Sequence, residues 1–378
     1  MIAHKSAAAD MFRILVISLV LTLIGLIFIY SSSSVFAFEK HASSIYYVRK
    51  QLFGFCIALC ALIIARAFPF EIIKKHALSL FLASLALTML TLVPQLSRHV
   101  HGSSRWLSIA GFSFQPIELL KIGLILYLAR FLSKKQFAKK SFVNCYVPFL
   151  IVMGIVSIIL LRQPDFGLMV TLMATACCML FVAQVPLKYL AFTALSSAPV
   201  FMLLIVMRPY RLKRILTFLN PWNDPRGAGF QIIQSLIAIG SGSIWGVGIG
   251  QSKQKFFYLP MLHTDFIVSI IAEETGLIGT SLILGLFLLF LYYGLRMATH
   301  LEDSFSMLAC TGFISLIGLQ AGINIAVASG LVPTKGIGLP FISYGNTGLV
   351  CLFAMLGLML NMVHHNRQPS VGFQPITH

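Results

Sequence analysis

The stretch ILVISLVLTLIGLIFIY, Ile14 to Tyr30, carries no charged side chain. A helix of about 20 apolar residues crosses a hydrocarbon core about 30 Å thick, at a rise of about 1.5 Å per residue. Inside such a core each backbone N–H and C=O must pair within the segment, which selects a helix. Lys5 and Arg13 precede the run and Val35-Phe36-Ala37 follows it, which superficially resembles a cleavable leader. The run is longer than a leader's apolar centre, so it is read as a retained first span.

Similar runs recur outward from this one. Ten spans can be drawn, near residues 13–33, 50–68, 77–95, 116–133, 145–162, 166–184, 188–207, 266–296, 304–328 and 346–363. Of the 378 residues, 58% are hydrophobic and 10% charged. A soluble domain carries about 25% charged residues. The fold class is therefore an all-α polytopic membrane protein with about ten transmembrane helices. Residues 1–378 form one membrane domain, with a long outer loop, about 208–265, between helices 7 and 8.

Lysine and arginine set the orientation, because short cytoplasmic loops collect them. With both termini inside, 13 basic residues fall in cytoplasmic segments and 7 in short outer loops. The loop 208–265 holds another 7: Arg208, Arg211, Lys213, Arg214, Arg226, Lys253 and Lys255. An outer loop has no topological reason for such charge, so it is read as an anion-binding segment. The net charge of +17 thus points to anionic lipid or a phosphate-bearing substrate and not to nucleic acid. Within the loop, Phe230 to Ile239 is too short to span and too apolar for open water. It suits a helix lying at, or dipping into, the interface. Glycines at 240, 242, 246, 248 and 250 follow, suited to close packing or to a turn whose N–H groups face phosphate.

The seven cysteines lie in or beside apolar runs without CxxC spacing, and read as small buried hydrophobes. No HExxH, GxSxG or P-loop lysine pattern occurs. Acids are few, and five of the eleven lie within or at the edge of spans: Glu118, Asp165, Asp265, Glu273 and Glu274. Ionisable groups there are costly and are functional candidates. Asp265, where the basic loop meets the eighth span, reads either as a helix cap or as a base. In the second reading it accepts a proton from a sugar hydroxyl, kept ionised by nearby cations and the helix dipole. Glu118 and Lys121 stand three apart on one helix face, either self-neutralised or lining the cavity near Asp265. Glu273 and Glu274 lie about 12–13 Å further down the helix. They are read as structural, facing different sides, with one paired to Asn324 or Gln320.

Ordered motifs run through most of the chain: Arg105-Trp106, Phe114-Gln115-Pro116 through Glu118 and Lys121, and Gln163-Pro164-Asp165. They continue with Pro209-Tyr210-Arg211, Arg214, Phe218-Leu219 through Pro221-Trp222, Gln254-Lys255 and Tyr258-Leu259-Pro260. Then come His263-Thr264-Asp265-Phe266, Ala272-Glu273-Glu274, Pro333-Thr334-Lys335-Gly336 and Ile342-Ser343-Tyr344-Gly345. With these motifs the chain resembles the SEDS family (shape, elongation, division and sporulation proteins), which includes RodA and FtsW. The Pro-Thr-Lys-Gly block is more similar to the FtsW branch. The chain departs from the family pattern at Asn220, Met261, Asn346, Thr347 and Gly348.

The resemblance implies a peptidoglycan glycosyltransferase that polymerises lipid II into β-1,4-linked glycan strands during cell division. Asp265 matches the catalytic position, and undecaprenyl pyrophosphate leaves with inversion at the donor anomeric carbon. Arg105, Arg211, Arg214, Lys255 and Lys335 become candidates for the diphosphate charge, with Glu118, Lys121, Asp165 and Ser343 lining the substrate site. A divalent cation, magnesium or manganese, is the only cofactor implied. The implied partners are a class B penicillin-binding protein transpeptidase and the other divisome proteins, in the inner membrane at the septum. The competing readings are a lipid II flippase and a non-catalytic division scaffold for a transpeptidase.

Overall fold

Each of the ten apolar runs forms a helix. A computed structural model describes residues 2–95, 97–100, 103–109, 112–134, 146–207, 209–227, 229–255 and 264–366. The expected spans correspond to α1 (Ile2–His41), α2 (Tyr46–Ala67), α3 (Phe70–Leu90), α4 (Pro116–Leu132) and α5 (Val147–Arg162). After them come α6 (Phe166–Val182), α7 (Leu187–Val206), α10 (Ile267–Thr299), α11 (Ser304–Ala328) and α12 (Asn346–His365). Two differ most from expectation. Helix α1 is 40 residues long, and α3 begins at Phe70, directly after Pro69, instead of near 77.

Among the described residues six helices, α1, α2, α3, α10, α11 and α12, are long and apolar enough to cross a membrane. The outward faces confirm the solvent they meet: Ile63, Ile158, Phe181, Leu195, Met202 and Leu282 are all more than half exposed. Apolar side chains on the outside of a helical bundle fit lipid and not water. Cys56 and Cys60 belong to this outer surface, contrary to their reading as buried hydrophobes; Cys310 and Cys351 are buried.

Helix α11 sits at the centre, packed by α4, α6, α9, α10 and α12. Helices α2 and α12 pack along their length, and Asn361 of α12 donates to the terminal carbonyls of α2, including Arg66 O at 2.8 Å. Those carbonyls have no partner within their own helix.

Contacts sort the connections into two ends. At one end Arg105 meets Asp165, Arg214 meets the Thr334 carbonyl, and Asn324 meets the Asp265 carbonyl. At the other, Lys74 pairs with Asp303 at 2.8 Å, and Asp10 sits between Arg13 at 2.7 Å and Arg296 at 3.3 Å. A chain that crosses at every span requires this alternation.

The connection between α3 and α4 holds structure the sequence reading did not anticipate. Strands β1 (Ser97–Val100), β2 (Ser103–Ile109) and β3 (Phe112–Phe114) form an antiparallel sheet in that order, with β2 carrying Arg105. Beside it, Gln163 donates to Thr88 O at 2.9 Å and ties the ends of α3 and α5.

The long loop contains α8 (Pro209–Leu219), a 3-10 turn (Pro221–Asn223) and α9 (Phe230–Gly242). Helix α9 dips beside α10 instead of lying flat. Its Ser235 hydroxyl lies 2.6 Å from Ser269 Oγ and donates to Ala328 O at 2.6 Å. After α9 the chain turns back while α10 breaks at Gly276, whose φ is 64°. The two irregularities complete each other. Val247 N–H donates to Glu273 O at 3.0 Å and Gly248 N–H to Glu274 O at 3.1 Å. In return Leu277 N–H reaches Ser243 O at 2.9 Å and Ile278 N–H reaches Ile244 O at 3.3 Å. An unbroken helix would have bonded 277 to 273 and 278 to 274. The re-entrant turn therefore replaces two rungs of the ladder, as irregular backbone at membrane depth requires. Gly246, at φ 80°, and Gly276 meet backbone to backbone, leaving no room for a Cβ on either.

Candidate active site

Asp265 stands two residues before α10. It does not cap the helix: the cap position is Phe266, without a side-chain bond. Its carboxylate instead lies against Gly336, where a Cβ would come within 3.2 Å of Oδ2 and 3.8 Å of Arg105 Nη1. The residue is partly exposed. Among the described residues no hydrogen bond or ion pair closes on the carboxylate.

Four segments bring charge to Asp265 or to its neighbour Asp165. Strand β2 supplies Arg105, whose Nε is 3.2 Å from Asp165 Oδ2 and whose Nη2 donates to Pro164 O at 3.0 Å. Asp165 is itself anchored as the cap of α6, accepting from Leu168 N–H at 3.2 Å. Helix α8 supplies Arg214, held on Thr334 O at 2.8 Å. The loop before α12 supplies Lys335, whose ammonium stands 5.6 Å from the Phe166 ring centroid. Burial pushes the Lys335 ammonium below its usual range, and Asp165 pulls it partly back.

The expected cations, Arg105 and Arg214, do favour the ionised form of Asp265, but burial acts more strongly. Burial raises its carboxyl to about 6, Arg105 and Arg214 offset only part of this, and Asp165 adds to it. Desolvation outweighs the cations here. The outcome is a carboxylate still mostly ionised at neutral pH and more basic than an ordinary aspartate, as proton abstraction favours.

Two residues fix the backbone behind the carboxylate. Ser343 Oγ accepts from Leu339 N–H at 2.7 Å and donates to Thr264 O at 2.6 Å. Asn324 Nδ2 donates to Asp265 O at 2.9 Å and to Ile337 O at 2.6 Å. Asn324 is not the partner of the α10 acids, as the sequence suggested. Glu273 accepts from Ser252 Oγ and, at 3.0 Å, from Lys253 N–H. Glu274 accepts from Ser31 Oγ and, at 3.4 Å, from Ser252 N–H. The two acids converge on Ser252 instead of facing apart. They hold the start of the returning chain.

Other candidates stand elsewhere. Glu118 and Lys121 form an ion pair, with Lys121 buried, beside Gly348 of α12. Lys255 turns back onto Gly250 O of its own loop. The Arg211 side chain, and residues 256–263 with His263, lie outside the described residues. Among the described residues no three His, Cys, Asp or Glu side chains group to hold a metal ion. Asp165, whose charge acts on Asp265, is already engaged by Arg105.

The family model of the cell cycle proteins FtsW, RodA and SpoVE matches residues 11–368. A probable peptidoglycan glycosyltransferase FtsW of Geobacter sp. (strain M18) is 40% identical over 349 residues, 92% of this chain and 95% of the relative. Stage V sporulation protein E of Bacillus subtilis (strain 168) is 39% identical over 363 residues, 96% of this chain and 99% of the relative. Among solved structures, a chain from a peptidoglycan synthase complex that coordinates polymerization and crosslinking matches with TM-score 0.79. It is 27% identical and covers 95% of this chain and 98% of that one. The rod shape determining protein RodA of Thermus thermophilus shares the fold, with TM-score 0.68 and 24% identity over 94% of this chain and 97% of that one.

Proposed function

The chain belongs to the FtsW, RodA and SpoVE family of cell cycle proteins, and from that premise we propose that it is a peptidoglycan glycosyltransferase of cell division. Its substrate is lipid II, a disaccharide–pentapeptide on undecaprenyl pyrophosphate. One observation carries the assignment of the chemistry: the Asp265 carboxylate faces a cationic end of the bundle with no partner closing on it among the described residues.

Asp265 takes the proton from the acceptor sugar hydroxyl. The hydroxyl oxygen forms the bond to the donor anomeric carbon, and the bond from that carbon to the diphosphate oxygen breaks. Attack opposite the leaving group inverts the anomeric centre. Diphosphate is a good leaving group and needs less help from a general acid than an ordinary glycoside. Arg105, Arg214 and Lys335 offset the charge that develops on it. Arg105 also holds Asp165, so its position is fixed before substrate arrives. Magnesium or manganese enters this reading only with the diphosphate, whose own oxygens can bind such an ion; no step of the chain's own residues depends on it.

The segregated ends and the basic loop support placing the Asp265 end on the outer face, with both termini cytoplasmic. The likeness to a complex that coordinates polymerization and crosslinking supports a class B penicillin-binding protein as partner, at the septum of the inner membrane. Purified protein, with and without that partner, should convert lipid II to glycan chains, while Asp265→Asn stops chain growth in protein that melts normally. Unchanged polymer with lost lipid translocation would identify a transporter instead.

A further inference from the structure

We infer that Asn324 is the positioning residue of this site: its side-chain amide ties the backbone of Asp265 to the loop that walls the carboxylate. The inference rests on the reading of Asp265 as the base.

Asn324 lies in α11, 1% exposed, in an otherwise mostly apolar helix. Burying an amide is costly unless its groups are bonded. Both hydrogens of Nδ2 are used, one on Asp265 O and one on Ile337 O. Among the described residues Oδ1 has no partner, so the amide's bonding here is donation to these two carbonyls. They belong to two segments 72 residues apart that meet only in the fold. One carries the carboxylate. The other follows Lys335 and Gly336, the cation beside Asp165 and the wall beside Asp265. Ser343 makes a parallel tie one residue earlier, at Thr264 O. The first turn of α10 closes with Ser269 N–H on Phe266 O at 3.1 Å. A nonpolar side chain at 324 would leave two buried carbonyls unbonded and let residues 264–265 drift from Gly336. A displacement of about 1 Å at a reacting group can cost about 100-fold in rate.

The test uses full-length protein with its partner and lipid II. Asn324→Leu removes the ties, and isosteric Asn324→Asp replaces donors with acceptors. Both should lower kcat about 10–100-fold in folded protein, with KM within about twofold of wild type. The acid limb of the rate profile gives a signature that a packing role would not move. Four charged groups act around the carboxylate: Arg105 from β2, Arg214 from α8, Asp165 at the start of α6 and Lys335 from the loop before α12. Asn324→Leu lets the carboxylate relax toward water and shifts the limb to lower pH. Asn324→Asp adds a like charge and shifts it to higher pH. Ser343→Ala, the milder change, should follow Asn324→Leu with about a fivefold loss of kcat. Wild-type kcat in either folded Asn324 variant, or a loss confined to KM with the limb unmoved, overturns the inference. If neither variant folds, Ser343→Ala decides by the same criteria. Asp265→Asn in the same series separates the two ideas: its full activity would remove the base itself, whereas its inactivity beside a normal Asn324→Leu removes only the tie.

Discussion

Two groups of acids stand in α10 or just before it, and their surroundings differ. Glu273 and Glu274 are 2% and 1% exposed and accept hydrogen bonds from Ser31, Ser252 and Lys253. Asp265 is partly exposed, and among the described residues Arg105, Arg214, Asp165 and a bare glycine surround it without bonding its carboxylate. The first pair is engaged by donors of its own fold, Glu274 through Oε1 alone, and such an acid holds chain in place. The second is left with unfilled acceptor capacity next to positive charge, which suits a group that must receive a proton. They differ in exposure, and more tellingly in whether any donor of the fold reaches the carboxylate.

Substitutions should split the two regions. The largest effect belongs to Asp265→Asn, which should lower chain growth about 10²–10⁴-fold, the usual worth of a positioned base. Its melting temperature should stay near wild type. Next come Gly246→Ala and Gly276→Ala. Each places a Cβ against backbone at a positive φ. Each should destabilise by about 3 kcal/mol or more, read as thermal melting in detergent. Glu273→Ala strands the buried Ser252 hydroxyl, at about 1–3 kcal/mol, and frees the Lys253 N–H. Activity per folded molecule should survive it better than it survives Asp265→Asn. The smallest effect is a shift and not a loss of fold. Arg105 lowers the Asp265 carboxyl, so Arg105→Ala should raise it further and move the acid limb above about 6. A limb that moved down would mean that Arg105 acts mainly through something other than its charge.

Much of this was visible beforehand, for identifiable reasons. Apolar runs report membrane helices directly, because lipid imposes the same demand on each span; residues 304–328 coincide with α11. The three-stranded sheet was not visible, since Ser97 to Phe114 offers only short strands within a polar connection. Nor was the splice at Gly276, because its bonds join residues about 30 apart and no local pattern announces an exchange of ladder partners. In the site, Asp265, Asp165 and Arg214 stood out as span-edge acids and a basic loop, Arg105, Lys335 and Ser343 came from motif resemblance, and the fold draws them to one end. Glu118 and Lys121, three apart on one helix, pair with each other, as that spacing allows. Asn324 was read as a partner for the nearer-looking acids; its two bonds are to backbone carbonyls, which leave no trace in side-chain chemistry.

The decisive measurement is the initial rate of glycan chain growth from pH 5 to 8, for wild type and Asp265→Asn, with partner and lipid II at saturation. The wild-type rate should fall about tenfold for each pH unit below about 6, as the carboxylate takes up its proton, and level off above it. Asp265→Asn should be slow and flat throughout. A substituted protein that matches wild type across the range, or a wild-type profile with no acid limb, would contradict the assignment of Asp265 as the base.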